Sequence, residues 1–516
     1  MFRLSHDDLR TAWSHRTWED FAAAPASDTR IAILPLHGFA DHGLGLPLHL
    51  EELIGSRLLR DALAGIPPSE ACVLPPLRHV VGPYAACSFS VDPDTALALI
   101  GEIAAGVHAA GFRKLVLLSS SPWATELAAT AALEARVALG LHTYLIPLSG
   151  LGLDLHPSSA ERSRAQAVGA ALLGVVPDAA FRAPDCSDGE RRPGYWNLPT
   201  HLAPDSTLSG PLLLAEATAR LRRLLGEIAA HRTPGTAPAL IHWQSMPELP
   251  SAASLAPPVG LGSHLAQLTP RHLATLTADL HDGAVALLPT GAIEQHGPHL
   301  PVGVDAFLGE VWTSALLPRL PQGTPLWIAP AITYGKSNEH RGFPGTLSVS
   351  AQSLRHVILS QARQLQAWGF RRLAILNTHG GNSAVLTYVL REVQTTLGLR
   401  TALLSVPASA DLPAQERAYG FHGGTWETSL MLAAAPQLVR FDRAVCEYPS
   451  RIDDPGLLRP EKAAATFAWL TSDVSRSGVM GDATAARAEL GHAWIDRGTA
   501  TLAAQLAEFS QSKSSR

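Results

Sequence analysis

The chain has 516 residues, 46% hydrophobic and 16% charged, a balance that excludes a disordered chain and leads us to expect two globular domains. Lys and Arg total 40 against 45 Asp and Glu, and Lys114, Lys336, Lys462 and Lys513 are the only lysines. With no basic stripe, nucleic acid is not an expected partner. Cys72, Cys87, Cys186 and Cys446 lack C-x-x-C spacing, no apolar leader is present, and no uncharged apolar run reaches roughly 18 residues; these features point away from disulfides, a zinc ribbon and a membrane span, and toward a reducing cytoplasm.

Taken in chain order, the first half contains residues 34–47 (LPLHGFADHGLGLP), 111–118 (GFRKLVLL) and 156–163 (HPSSAERS). Residues 231–262 are rich in Pro, Ala, Ser and Gly without sustained periodicity, so they read as a linker near the midpoint. We therefore expect one domain over 1–230 and another over 263–516. The second half repeats the three motifs in the same order, as 288–301 (LPTGAIEQHGPHLP), 369–376 (GFRRLAIL) and 422–429 (HGGTWETS). Three colinear matches imply a duplicated domain. Short apolar runs at 284–288, 326–329, 373–376 and 401–406 read as buried strands, and the amphipathic stretches 353–368 and 383–396 read as helices. Strands alternating with helices predict an α/β fold, with a mainly parallel sheet flanked by helices in each copy, and ligands outside the carboxyl ends of the strands.

The polar motifs of the second half follow those runs. Glu294 and His296 are two apart, so in an extended segment both side chains leave on one side. Asp305 follows a Gly- and Pro-rich turn, and His379 arrives at the end of another strand in NTHGGN (377–382). Carboxylates and imidazoles converging at strand ends suit zinc, manganese or iron rather than calcium.

These residue types and spacings resemble the creatininase family over roughly residues 265–510, with EQHGPHLP (294–301) the most specific motif. The resemblance implies two three-layer αβα domains and a centre of two divalent metal ions in the second. By motif, Glu294 and His379 would hold one ion and His296 the other, with Asp305 bridging. Creatinine-hydrolysing members carry a Glu two residues after the counterpart of His379, where this chain has Gly381. Other branches have a His-Ala-Gly-x-x-Glu-Thr motif, which 422–428 resembles; Glu427 is thus the candidate fifth ligand, or else a carboxylate favoured by a helix N-terminus. In that motif His422 is the candidate general acid or base, or an ordinary hydrogen bonder. His299 is expected to orient a ligand or pack in its loop. Residues 334–346 (YGKSNEHRGFPGT) also resemble a family loop, in which Glu339 and His340 would shape the substrate pocket, contact a neighbouring subunit or form a structural turn. Trp426 is a candidate to stack on substrate or to be buried.

The repeat puts Ala40 at the Glu294 position and Ser121 at the His379 position, while His42, Glu51, His156 and Glu161 stand at those of His296, Asp305, His422 and Glu427. The first half is thus expected to be either a catalytically dead copy supporting the second or the seat of a residual single-ion site built from His42, Glu51 and Glu161. The leading expectation for function is metal-dependent hydrolysis of a C–N bond in a small or cyclic amide by a homo-oligomer. Its alternatives are a family peptidase or deformylase, and a scaffold that keeps the fold without turnover.

Overall fold

The computed structural model describes residues 11–23, 27–64, 66–67, 70–82, 86–156, 159–176, 207–231, 264–267, 280, 283–320, 325–404, 406, 411–449, 458–461, 465–466 and 468–511. The linker expected over 231–262 lies outside them, His231 excepted.

In the first half β1 (Ser27–Leu36), β2 (Ala71–Val73), β3 (Phe112–Ser119) and β4 (His142–Pro147) form a sheet in the order β2-β1-β3-β4. In the second half β5 (Val285–Thr290), β6 (Leu326–Ile328), β7 (Arg372–Asn377) and β8 (Arg400–Leu404) form another, in the order β8-β7-β5-β6. All pairings within both sheets are parallel. The second order is the first read from the opposite edge, so the duplication inferred from three motifs extends to strand order and direction.

The helices used below are α1 (Trp18–Ala22), α2 (Leu50–Leu63), α3 (Pro93–Ala109), α4 (Thr125–Leu139), α5 (Arg162–Leu173), α6 (Gly210–Ala230), α7 (Val304–Leu316), α8 (Ala351–Ala367), α9 (Ser383–Leu397), α10 (Thr425–Ala434) and α11 (Ala488–Gln511); short helices also form at Ala414–Tyr419 and Thr471–Val474. Successive strand residues face opposite sides of a sheet. Accordingly Ala32, Leu34 and Leu36 of β1 join the core beneath α3 and α4, whereas Ile31 and Ile33 join the core beneath α2, α5 and α6. Both faces are covered, which is why these strands are apolar throughout rather than alternating. Local chemistry sets the helix ends: Asp92 accepts from the Thr95 N–H ahead of Pro93 in α3, Ser350 accepts from the Ser353 N–H in α8, and α9 stops at Gly398 with φ 67°.

One core cluster runs through both halves. Helix α3 packs on α8, where Thr95 Oγ1 lies 3.1 Å from His356 Nδ1. The Phe89 ring meets Trp368 edge-on at 5.0 Å, and the Tyr334 hydroxyl donates to the Pro75 carbonyl at 2.5 Å. No helix among the described residues is long and apolar enough to cross a membrane. Cys72, Cys87 and Cys446 form no disulfide among the described residues.

For function the important feature is the junction of β5 and β7. The chain leaves β5 toward β6 on one side and returns to β7 on the other, so a crevice opens between the loops at their carboxyl ends. The Glu294 loop follows β5, and His379 follows β7.

Candidate metal centre

Beyond β5 the Glu294 N–H donates to the Val302 carbonyl at 2.8 Å, closing a loop that brings Asp305, in the first turn of α7, back beside Glu294 and His296. Gly291 permits this: a Cβ there would lie 2.7 Å from the backbone of Ala306. His296 Nε2 is 3.3 Å from Asp305 Oδ1, 3.8 Å from Glu427 Oε1 and 3.9 Å from Glu294 Oε1. His379 Nδ1 is 3.2 Å from both Asp305 Oδ2 and Glu294 Oε1. Four trios of potential ligands result among the described residues: Glu294 with Asp305 and His379, His296 with Asp305 and Glu427, Glu294 with His296 and His422, and Glu294 with Glu339 and His340; the first two share Asp305. Asp305 turns one oxygen toward each of those two.

The residues fit a pair of divalent cations. Glu294 Oε2, His296 Nε2 and Asp305 Oδ2 are buried and make no hydrogen bond within the protein. A buried polar atom left so costs about 1–3 kcal/mol, which a cation at their meeting point would offset. Burial pushes the Glu294 carboxyl up to about 7, opposed by His379 and assisted by Asp305. Burial acts to lower His296 and His379, yet Asp305 with Glu427 holds the first, and Glu294 with Asp305 the second, well above the ordinary range. Without metal the protonated forms of His296 and His379 are thus favoured, and cations would displace those protons.

The neighbours fix which ring nitrogen faces the centre. His296 Nδ1 lies 3.1 Å from the Glu294 carbonyl, to which its N–H donates, leaving Nε2 for a ligand. His379 Nε2 lies 2.9 Å from the Lys336 carbonyl, leaving Nδ1. His422 Nε2 lies 2.7 Å from the Gln295 carbonyl, so its Nδ1 faces Glu294 Oε1 at 3.6 Å. Burial, then His296, holds the His422 imidazole down to about 4, so it is neutral near pH 7.

Glu427 sits in the first turn of α10 with Oε2 accepting the Gly423 N–H at 2.5 Å and Oε1 turned to His296, so this carboxylate joins the cluster from a separate segment. His340 Nε2 is 3.5 Å from Glu294 Oε2, and its ring stacks on His422 with centroids 4.3 Å apart. Glu339 Oε1 lies 3.8 Å from His379 Nε2, and its Oε2 accepts from Lys336 Nζ at 3.4 Å. A Cβ on Gly381 would stand 2.1 Å from that Glu339 Oε1 and 2.5 Å from His379 Nε2. Gly381→Ala is therefore expected to weaken cation binding about 10- to 100-fold, as disturbing a ligand's support does; titration of the metal-free protein with manganese measures it. Trp426 is not brought to the cluster: its ring packs on Trp494, 4.9 Å between centroids, and lies partly buried against the core. His299 donates from Nε2 to Thr428 Oγ1 at 2.8 Å, next to Glu427.

In the first half His42 and Glu51 come together but saturate each other. Glu51 Oε1 is 3.0 Å from His42 Nε2, and Oε2 accepts the Gly38 N–H at 2.5 Å. Glu161 turns away to accept the Ser159 hydroxyl at 2.7 Å, while His156 packs near Trp123. Among the described residues no trio of potential ligands includes a first-half side chain.

Three further residues support the site beyond the candidates named from the motifs. Gln295 accepts from the Gly297 N–H at 2.9 Å and donates to the Gly478 carbonyl and His340 Nδ1, both at 3.0 Å. Glu416 accepts the Thr425 and Asp482 N–H groups at 2.8 and 2.9 Å, anchoring the start of α10. Trp469 stands edge-on to His340 at 6.1 Å.

An α/β protein whose switch-point loops bring imidazoles and carboxylates together carries the donor set of a divalent-metal site. The family model for creatininase, described as creatinine amidohydrolase, matches residues 14–170 and 267–506. The chain belongs to the creatininase family. It is 36% identical over 209 residues to a mycofactocin precursor peptide peptidase from Mycobacterium ulcerans (strain Agy99), covering 39% of this chain and 76% of the relative. It is 34% identical over 186 residues to creatinine amidohydrolase from Pseudomonas putida, covering 32% and 70%. A solved structure described as "Creatininase Mn" aligns at 28% identity with TM-score 0.38, over 48% of this chain and 99% of that one.

Proposed function

We propose that the second half hydrolyses an amide C–N bond at two divalent cations, one held by Glu294, Asp305 and His379, the other by His296, Asp305 and Glu427. The observation that carries this reading is the set of buried ligand atoms of Glu294, His296 and Asp305 that find no hydrogen bond. The mixed donors suit zinc, manganese or iron. Such a pair, when bound, lowers the pKa of a water and polarises the carbonyl it attacks. The protein's own groups do the rest. His422, neutral and anchored through its Nε2–H, presents Nδ1 as the proton acceptor and passes the proton to the leaving nitrogen. His340 accepts from Gln295 at Nδ1, so its Nε2 carries the proton and stands 3.5 Å from Glu294 Oε2, bounding the space that side chain can occupy. Glu339, Lys336 and Trp469 flank the centre and contact the substrate.

The amide belongs to a small molecule. A second reading, a short peptide, is favoured by Gly381 in place of the Glu of creatinine-hydrolysing members and by the peptidases among the relatives. The first half we read as non-catalytic, because His42 and Glu51 already satisfy each other. The test is a panel of cyclic ureides, formamides and short peptides, each with manganese, zinc or iron. Cation-dependent turnover of one class, abolished by a chelator, is expected; no turnover with any cation would favour the scaffold instead.

A further inference from the structure

We infer that the first half builds part of the second half's metal centre, with Asp20 and Trp18 as positioning residues for ligands that lie hundreds of positions later in the chain. The inference rests on the two-cation reading above.

The segment that carries them begins on its own sheet. Ala12 pairs with Val73 in parallel, and the Val73 N–H donates to the Thr11 carbonyl at 2.8 Å. The chain then crosses to the other half. The Ser14 carbonyl accepts the Gly303 N–H at 2.9 Å, and the Arg16 carbonyl accepts the Val302 N–H at 2.7 Å. Val302 is the residue whose carbonyl closes the Glu294 loop, and Gly303 immediately precedes the helix that carries Asp305. The approach is close: a Cβ on Gly303 would stand 2.6 Å from the Ser14 carbonyl oxygen. Trp13 Nε1 donates to the Gly345 carbonyl at 2.9 Å, completing the crossing.

Helix α1 extends the contact to the other ligands. Asp20 is buried; its Oδ2 accepts the Thr17 N–H at 2.9 Å and its Oδ1 accepts from Arg440 Nη1. The Arg440 N–H donates to the His299 carbonyl at 2.9 Å, His299 donates to Thr428 at 2.8 Å, and Thr428 follows Glu427. Trp18 Nε1 donates to the Ser477 carbonyl at 3.0 Å, one residue before Gly478, whose carbonyl holds Gln295. The arrangement is reciprocal. In the second half His264 pairs with Ile328, and the Ala266 carbonyl accepts from His49 Nδ1 at 3.0 Å, His49 being the repeat's counterpart of Gly303. The two copies therefore exchange lead-in arms as two subunits would. The first copy has lost the equivalents of Glu294 and His379, yet its arm still braces the loop that carries Glu294 and Asp305.

The test uses the full chain, stripped of metal and titrated with cobalt(II), followed by calorimetry and the visible spectrum of the bound ion. The unaltered protein is expected to take up about two cobalt ions. Asp20→Ala and Arg440→Ala should each weaken one of the two binding steps about 10- to 100-fold and leave the other unchanged. The double variant should be no worse than either single one, because both act through one link, and Asp20→Asn should recover part of the loss. Trp18→Phe keeps the ring edge-on to Phe343 and removes only the N–H to Ser477. It covers the case in which Asp20→Ala does not fold, and it is expected to shift the cobalt spectrum. Folded variants that bind both ions with unaltered constants and spectra would overturn the positioning role. An unaltered protein that takes up no cobalt would instead overturn the two-cation reading, and this inference with it.

Discussion

Glu294→Gln is expected to leave a folded protein that neither hydrolyses amide nor takes up its pair of cations. Burial already pushes this carboxyl up to about 7, so near neutrality the metal-free protein holds it partly as the uncharged acid. Glutamine matches that form in shape and charge, and the metal-free protein should melt close to where the unaltered one does. What glutamine cannot supply is the anionic oxygen that would hold the cation beside His379 Nδ1. In the presence of manganese at a hundred times its dissociation constant, each occupied position adds about 2.7 kcal/mol, and Glu294→Gln should lose the share of the position that Glu294 builds. Asp305→Asn is the harsher variant. Burial opposes its charge, but His296 and His379 hold Asp305 far below the ordinary carboxylate range. A carboxylate so lowered contributes stability above its unfolded pKa and loses that contribution as acid protonates it. Its removal is therefore expected to cost about 3–5 kcal/mol in the metal-free state, as well as all activity. Thermal melts with and without manganese, beside elemental analysis, separate the two effects.

His422→Asn should lower kcat by about 10²- to 10⁴-fold while cation content stays near that of the unaltered protein. The two roles open to this side chain predict different results. With Nε2–H committed to the Gln295 carbonyl, Nδ1 can act on protons or serve as a ligand beside Glu294 and His296. A ligand's loss would empty one position. A proton carrier's loss would leave both filled and slow the step that frees the amine. Kinetics and metal analysis on one preparation therefore assign the role.

Much of this arrangement was legible in the amino-acid order because it is local or repeated. The strands expected at 284–288 and 373–376 form as β5 and β7 within two residues at either end, since apolar runs buried on both faces leave little latitude. Glu294, His296, Asp305 and His379 converge because each sits at or just beyond a strand's end or in the next helix's first turn. What could not be read lies in contacts between distant segments. Nothing near Trp18 or Asp20 signals a partner at Ser477 or Arg440, and no spacing rule shows that Glu339 fills the space beside Gly381. Trp426 illustrates the same limit. On a helix, residues one apart point about 100° away from each other, so adjacency to Glu427 placed its ring on Trp494, against the core.

Crystals grown with manganese and measured near the metal's absorption edge test the central claim most directly. The expected result is two anomalous peaks per chain, one bounded by Glu294, Asp305 and His379 and the other by His296, Asp305 and Glu427, with none beside His42 and Glu51. Density without a peak at Asp305, or a lone peak that Asp305 does not touch, would contradict it.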